Sequence, residues 1–280
     1  MSTMGNYICT GEQTMHSHDF FDTHPVFTHA EFVSTHTATG RSAHTSNALL
    51  RKHLAAGRLL RVRRGVYATV PRATDPDKAV VDPSLLATQL ADDAVVAYHG
   101  ALQFHGRAYS VSRRYHYLTR GRARPFSFRG SEFVPVRAAQ TLRDLPDLGG
   151  GILEQPHAGG TVRVTTLERA LVDVFDAPDK GGGWEEIWRS LESVEFFDLD
   201  AVIDYAHKLG SAIAAARVGF FLDRHREPLM VEDTHLDRLK ELGPKEPRYF
   251  DPKRQPGRLV PAWNLVVPEP ILSRAWEEVS

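Results

Sequence analysis

Cysteine is almost absent from the sequence, since Cys9 is the only one in 280 residues. A single thiol cannot close an internal disulfide, so nothing indicates an oxidising compartment. No stretch approaches the roughly 20 apolar residues of a membrane-spanning helix, and the N-terminus lacks the apolar core of a secretory signal. These absences predict a cytoplasmic protein with no membrane partner.

Recognisable catalytic patterns are missing as well: there is no Gly-Lys-Ser/Thr phosphate loop and no dinucleotide fingerprint. His99 and His105 invite a catalytic interpretation, but no nucleophile or carboxylate pair stands at a defined spacing from them. Packing or a helix-end hydrogen bond is the better interpretation of both. His16, His18 and His24 lack a Cys or carboxylate at a metal-ligand spacing. We therefore predict no enzyme activity, no cofactor and no metal.

Acidic residues are unevenly distributed. Residues 1–140 carry 17 Lys and Arg against 10 Asp and Glu, a net charge of +7, whereas residues 141–280 carry 17 against 25, a net charge of −8. The length suits one large or two ordinary domains, and this asymmetry suggests two tasks. Nucleic acid is the expected partner of the basic half.

Asp and Glu are absent altogether from residues 40–74. The same stretch contains eight cations: Arg41, Arg51, Lys52, Arg58, Arg61, Arg63, Arg64 and Arg72. A solvated face normally mixes the two signs, because like charges repel, so this run favours a polyanion such as phosphate. The alternative is a helical hairpin whose basic bias arises by chance.

Helix and strand signals occur in a definite order along this region. Thr28 stands three residues before Glu31, as in a capping box that opens a short helix. Residues 45–56 form the second predicted helix, capped by Thr45 or Ser46 and ended by Gly57. Apolar Leu60 and Val62 then alternate with arginines, and β-favouring residues resume at 66–70. Between these two strand-like runs, Arg64-Gly65 suits a tight hairpin turn. Helix, turn, helix and ribbon together predict a winged helix-turn-helix over residues 24–74.

In such a motif the front of the second helix contacts base edges, and the flanking cations hold phosphates. The base-edge candidates are Arg41, His44, Ser46, Asn47 and Arg51, with Thr45 also among the predicted DNA-binding residues. The phosphate and wing candidates are Lys52, Arg61, Arg63 and Arg64.

A second acid-free run covers residues 107–129, where the pattern is that of strands. It provides a possible secondary basic surface made of Arg113, Arg114, Arg120, Arg122 and Arg124. This surface could extend a DNA footprint or face an acidic partner. It could equally be a solvated sheet edge, since charges protect exposed strand edges from pairing.

Four segments carry a resemblance to a known family. GRLLRVRRGVYA (residues 57–68) resembles the ribbon of AbiEi-type antitoxins from bacterial abortive-infection toxin–antitoxin systems. YHGALQFHG (98–106) and VRVTTLERALVDVF (162–175) resemble two later segments of that family, in the same order, and RVGFFL (217–222) resembles a third. Within residues 162–175, Arg169 and Asp173 are spaced for an intrahelical ion pair or for a partly buried pair that anchors the helix.

The resemblance covers about residues 25–224 and implies a mixed α+β fold: a winged helix-turn-helix followed by an α/β antitoxin domain, residues 75–280. It implies that the first domain binds inverted repeats in promoter DNA and represses its own operon. The second would neutralise a nucleotidyltransferase-like toxin, directly or indirectly. Residues 1–23 are expected to form a flexible tail, and residues 227–280 an extended one.

Two alternatives stay open. One is a regulator of this fold that has no toxin partner. The other is a DNA-acting enzyme, because related basic ribbons can precede an endonuclease-like domain. An enzyme of that kind predicts two carboxylates and a Lys clustered on a sheet, and Glu and Lys fall mostly in predicted helices or loops here.

Overall fold

The computed structural model of the protein describes residues 17–274, with side chains from Phe20 onward. These residues divide into two compact units. Unit 1 runs to Val81 and includes Ala158–Gly160, whereas unit 2 consists of Asp82–His157 and the chain from Thr161 onward. Helices and strands occur in both units, so the fold is mixed α+β, as predicted.

The described part of unit 1 contains three α-helices and a small antiparallel sheet of strand order β1-β3-β2. In chain order its elements are α1 (Ser17–Thr23), β1 (Val26–Thr28), α2 (His29–Ala38), α3 (Ala43–Ala55), β2 (Leu59–Arg63) and β3 (Val66–Thr69).

The start of α2 is fixed by the predicted capping box, which is confirmed. The backbone N–H of Glu31 donates to Oγ1 of Thr28 over 3.2 Å, and the backbone N–H of Thr28 donates to Oε2 of Glu31 over 2.6 Å. Two backbone donors that the helix leaves unpaired at its start are therefore satisfied by side chains.

Helix α3 begins earlier than predicted. Its cap is Ser42, whose Oγ accepts from the backbone N–H of Thr45 over 3.1 Å, so neither Thr45 nor Ser46 caps the helix. Ser42, Thr45 and Ser46 all have side chains that can cap a helix. Only Ser42 has the extended backbone conformation of an N-cap residue. The predicted end is confirmed: Gly57 follows α3 with a φ of +65°, a left-handed conformation that suits glycine.

The hairpin of β2 and β3 turns at Arg64 and Gly65, as predicted, and Gly65 has a φ of +81°. A bulge between Arg61 and Arg63 interrupts the pairing. Since a bulge shifts which side chains face inward, the strict alternation expected for β2 is wrong. Leu59 and Val62 are buried, three residues apart, and Leu60 is only half-buried.

An aromatic cluster forms the core of unit 1, and it corrects the prediction of a flexible tail over residues 1–23. Residues 17–23 form α1, which buries Phe20 and Phe21. The Phe20 ring lies edge-on to Phe27 at 5.1 Å and to Phe32 at 5.2 Å between ring centroids. Two adjacent aromatic residues give too short a pattern to predict a helix, but their burial stabilises one. Residues 1–16 of the predicted tail lie outside the described residues.

Unit 2 is built on a six-stranded sheet of order β6-β7-β5-β4-β9-β8. Its strands are β4 (Val95–Ala97), β5 (Arg114–Thr119), β6 (Phe126–Phe128), β7 (Ser131–Arg137), β8 (Ile152–His157) and β9 (Gly160–Thr165). The helices are α4 (Pro83–Thr88), α5 (His99–Phe104), α6 (Gln140–Arg143), α7 (Leu167–Asp176), α8 (Trp184–Glu192), α9 (Leu199–Leu209), α10 (Ala212–Asp223) and α11 (Asp233–Leu242).

The predicted pair of Arg169 and Asp173 is more than a surface ion pair, because it is buried inside unit 2. Arg169 Nε lies 3.5 Å from Asp173 Oδ2, with side-chain exposures of 1% and 5%. Arg169 Nη1 also donates to the carbonyl of Gly150 over 2.5 Å, and the Tyr205 hydroxyl donates to Asp173 Oδ1 over 2.7 Å. The anchoring interpretation of this pair is therefore confirmed.

Residues 227–280, expected to form an extended tail, are folded as far as they are described. After α11, it forms β10 (Arg248–Tyr249), β11 (Gly257–Val260), β12 (Leu265–Pro268) and α12 (Glu269–Ser273). The indole N–H of Trp263 donates to Asp223 Oδ2 at the end of α10 over 3.0 Å. Burial of Phe250 and Trp263 supplies the apolar contact that a free tail would lack.

Helices in the described part of the chain are all too short or too polar to cross a membrane.

Candidate nucleic-acid interface

Helix α3 presents one continuous exposed face, which we call the α3 outer face. Its members are His44, Thr45, Ala48, Arg51, Lys52 and Ala55, all exposed. His44, Ala48, Arg51 and Ala55 follow the four-, three- and four-residue steps of one row along a helix. The opposite side of α3 buries Leu50 in the aromatic core. One side of α3 is therefore packed against the core, and the α3 outer face is exposed to solvent.

Four predicted contact residues lie on the α3 outer face: His44, Thr45, Arg51 and Lys52. The sequence did not single out Ala48 and Ala55, which have no polar group to suggest recognition. Their position in the exposed row identifies them, and small side chains let a helix approach its ligand closely.

Ser46 does not belong to this face, so its prediction as a base-edge residue is wrong. It is 0% exposed, and its Oγ donates to the carbonyl of Ser42 over 3.1 Å. Ser46 precedes Leu50 by four residues, which places both on the buried side of α3. That spacing was readable in the sequence.

Asn47 lies at the edge of the α3 outer face and is half-buried. Its Oδ1 is 2.6 Å from Nε2 of His29, the first residue of α2. The backbone N–H of His29 in turn donates to the carbonyl of Gly65 over 2.8 Å. His29 thus brings the hairpin turn and the first half of α3 to the same place.

Arg41 sits before α3 and is half-buried, with its backbone N–H donating to the carbonyl of His36 over 3.1 Å. Burial, and more weakly the charge of Arg41, lower the pKa of His36, although its bond to the Phe32 carbonyl opposes the shift. Nη1 of Arg41 is buried and meets no hydrogen-bond acceptor within residues 17–274. The structure therefore places Arg41 beside the end of α2 and not in the row of the α3 outer face.

The hairpin adds further cations beside α3. Arg61 and Arg64 are exposed, whereas Arg63 is half-buried. Arg58, which belongs to the acid-free run but was not among the predicted contacts, is exposed just before β2.

Few carboxylates compensate these charges. One carboxylate oxygen of Glu31, Oε2, already accepts hydrogen bonds from Thr28 in the capping box. Asp22 forms an ion pair with Arg72 at 3.3 Å, and neither residue belongs to α3 or to the hairpin. Lys52, Arg61 and Arg64 form no ion pair with any described residue. The phosphate backbone of nucleic acid attracts cations that are not paired with carboxylates.

The predicted secondary basic surface in unit 2 is reduced by internal pairing. Arg114 forms an ion pair with Glu132 at 2.7 Å. Arg120 lies 3.8 Å from Asp93, and its Nε donates to the carbonyl of Arg143 over 2.9 Å. Only three of the five predicted members are exposed and lack an ion pair in the described part of unit 2: Arg113, Arg122 and Arg124.

The two histidines considered for catalysis make structural contacts. His99 Nε2 lies 3.0 Å from Glu186 Oε1, and His105 Nε2 lies 2.8 Å from the carbonyl of Thr165. Burial opposes ionisation of Glu186, but hydrogen bonds from Ser110 and His99 outweigh it and lower the pKa of this carboxyl. These contacts support the packing interpretation. No group of three or more metal-ligating side chains is found across residues 17–274.

Comparison with known proteins gives a likeness of fold. No model of a protein family matches the chain, and no curated protein matches it either. The chain is similar to the crystal structure of the RV2827C protein from Mycobacterium tuberculosis, with a TM-score of 0.53 and 17% sequence identity. The match covers 91% of this chain and 90% of that one. At such low identity the likeness extends to the mixed α+β fold.

Proposed function

We propose that unit 1 is a winged helix-turn-helix that binds double-stranded DNA. Its element order, helix–strand–helix–helix–strand–strand, and its β1-β3-β2 sheet support this proposal. The observation that carries it is the α3 outer face beside the turn of the hairpin, with unpaired cations on both elements. No acidic residue interrupts residues 40–74.

In this proposal α3 lies in the major groove, and the hairpin follows the phosphate backbone. The 13 residues of α3 give a helix about 20 Å long at 1.5 Å per residue, enough to follow the groove across several base pairs. Lys52, Arg61 and Arg64 hold phosphates, because they are exposed and unpaired with described carboxylates. His44, Ala48 and Arg51 face the base edges.

We further propose that the protein represses its own operon and acts as the antitoxin of a nucleotidyltransferase-like toxin. The motif resemblances in residues 57–68, 98–106 and 162–175 support this part of the proposal. The excess of negative charge in residues 141–280 supports a task for unit 2 other than DNA binding. A regulator without a toxin would share unit 1 and differ in its genetic neighbourhood.

A gel-shift titration on the DNA upstream of the gene tests the first step. Wild-type protein is expected to prefer this DNA over a scrambled sequence, with affinity that falls as salt rises. Arg61→Ala combined with Arg64→Ala should weaken binding to both DNAs and reduce the salt slope by about 2, one for each phosphate contact.

Arg72→Ala is the matched control, since Arg72 is an exposed unit 1 arginine paired with Asp22. It should leave the salt slope unchanged. Binding to neither DNA would contradict the proposed function, and an unchanged slope in the double variant would remove Arg61 and Arg64 from the phosphate contacts.

Co-expression tests the antitoxin role. The full-length chain is expected to restore growth to cells that express the product of the neighbouring gene. The double variant Arg61→Ala, Arg64→Ala should still restore growth under an independent promoter. Failure of both proteins to do so would leave the regulator without a toxin as the function.

A further inference from the structure

We infer that the α3 outer face selects guanine and thymine in its operator and does not read adenine through Asn47. This inference rests on the proposed DNA-binding function and specifies the bases that it recognises. It follows from one hydrogen bond, between His29 and Asn47, and from the side chains that remain exposed beside it.

Asn47 is the only Asn or Gln in α3, and therefore the only residue there that can read adenine in the usual bidentate manner. That contact uses both ends of the side-chain amide: the oxygen accepts from adenine N6, and the nitrogen donates to N7. The 2.6 Å contact with Nε2 of His29 engages this amide within unit 1 and fixes the direction in which it points. The contact forms in either imidazole tautomer. A protonated Nε2 donates to the amide oxygen, and an unprotonated Nε2 accepts from the amide nitrogen.

The amide is also fixed in orientation. His29 is held at its backbone by the hydrogen bond to the carbonyl of Gly65, 2.8 Å long, directly after the capping residue Thr28. Asn47 itself is half-buried on α3. Turning the amide toward a base would break its bond to His29 and leave a partly buried imidazole nitrogen unpaired, which is costly. Asn47 is therefore a positioning residue.

Arg51 has the opposite character. Its side chain is exposed, and its one described hydrogen bond is from Nε to the carbonyl of Asn47 over 3.4 Å. Both Nη groups stay free to donate. Two parallel donors match O6 and N7 of guanine, the commonest specific contact in the major groove. The bond from Nε holds the guanidinium near α3 without using its terminal donors.

Ala48 lies one turn before Arg51 in the same exposed row. Three residues along a helix correspond to about 4.5 Å, close to the 3.4 Å rise of DNA, so Ala48 faces a base pair next to the one that Arg51 reads. A methyl group in the major groove favours the C5-methyl of thymine. The predicted preference is therefore guanine at one position and thymine beside it.

The experiment is selection of DNA from a pool in which the upstream half-site is randomised, followed by sequencing of the bound fraction. Wild-type protein should enrich guanine at one position by about 5- to 150-fold, the range for a good bidentate pair. Arg51→Ala should lose this enrichment. Its salt slope should stay close to that of the wild type, because Arg51 is assigned to a base edge and not to a phosphate.

Variants at the His29–Asn47 pair separate positioning from reading. Asn47→Ala should leave the pattern of preferred bases unchanged, even where overall affinity falls. His29→Ala releases the amide of Asn47 and should add an adenine preference at one position. The combined variant His29→Ala, Asn47→Ala should lose that preference again.

Specific outcomes would overturn the inference. An adenine preference of the wild type that Asn47→Ala abolishes would make Asn47 a base reader. A guanine preference that survives in Arg51→Ala would assign it to another residue. If His29→Ala does not fold, Asn47→Ala alone still decides the first point. Absence of any enriched sequence would instead contradict the proposed function, a distinguishable failure.

Discussion

Arg169 and Asp173 place two charged groups in the interior of unit 2, where each depends on the other. Burial raises the pKa of Asp173, and the neighbouring Arg169 opposes that shift. Arg169→Ala would leave a buried carboxyl without its cation, so we expect a loss of about 3–5 kcal/mol in the free energy of unfolding. Urea denaturation of the full chain measures it.

Arg238→Ala is the comparison for this prediction. Arg238 pairs with Asp200 and Asp204, but all three side chains are exposed, and such pairs contribute less than about 1 kcal/mol. Similar destabilisation by the two substitutions would show that the anchoring role of Arg169 is wrong.

His116 is a single residue that makes the free energy of unfolding depend on pH. Burial, together with the charges of Lys180 and Arg114, lowers its pKa from 6.5 to about 4, while Asp179 and Glu132 act weakly in the other direction. Between pH 6.5 and 4 the unfolded chain therefore binds a proton more readily than the folded one, and stability falls as the pH drops through this window.

The full effect of His116 corresponds to about 3 kcal/mol at 1.36 kcal/mol per pKa unit. His116→Gln removes the titrating group, so its unfolding free energy should fall less steeply than that of the wild type between pH 6.5 and 4. Parallel curves for the two proteins would exclude His116 as the source of acid sensitivity.

At the scale of elements, the cap of α3 determines how the proposed recognition helix is held. Ser42→Ala removes the acceptor for the backbone N–H of Thr45, which costs about 1 kcal/mol for an N-cap residue. Hydrogen–deuterium exchange of the first turn of α3 should become roughly fivefold faster, the equivalent of that free energy.

Thr45→Val is the control for the cap. It keeps the backbone N–H that Ser42 accepts and removes only the Thr45 hydroxyl, which contacts Ser42 Oγ at 2.9 Å on the exposed surface. Exchange in the first turn should stay near the wild-type rate. Equal acceleration in the two variants would mean that the hydroxyl pair, and not the cap, protects the helix.

The elements differ in how far the sequence alone could predict them. Where a local chemical signal was unique, as for Thr28 with Glu31 or for Gly65, the prediction is confirmed. At the start of α3 several residues could cap, and only Ser42 has the extended backbone of a cap residue. Strand β1 was missed because its three residues pair only with β3, some 40 positions later in the chain. Short partners of distant strands give no periodic signal of their own.

The candidate site shows the same division. The type of side chain and the acid-free run were readable in the sequence, and four predicted residues lie on the α3 outer face. The bond between His29 and Asn47 joins residues 18 positions apart, and no pattern in α3 predicts it. Ser46 was assigned wrongly because polarity was weighed above its four-residue spacing from Leu50.

At the scale of the whole molecule, the folded C-terminal part contributes the buried Trp263 to unit 2. Gly219 lies so close to Trp263 that an added Cβ would be 2.0 Å from the ring carbon Cζ3. Gly219→Ala should therefore destabilise unit 2 by about 1–3 kcal/mol or more through overpacking. Thermal unfolding followed by tryptophan fluorescence measures the loss.

A second substitution tests the cause of that loss. In a Trp263→Leu background the ring is gone, so adding Gly219→Ala should cost much less than it does in the wild type. Additive costs of the two substitutions would contradict the packing of residues 261–263 against α10.

The contacts of His29 have a consequence for how the protein can evolve. One side chain joins the start of α2 to Asn47, and its backbone joins the same point to Gly65. A substitution at position 29 alone leaves an amide without its partner, and a substitution at 47 leaves an imidazole without one. Among relatives that keep unit 1, positions 29 and 47 should therefore covary as a hydrogen-bonding pair or be replaced together. New operator preferences would then arise in two steps, with the pair lost before adenine recognition is gained.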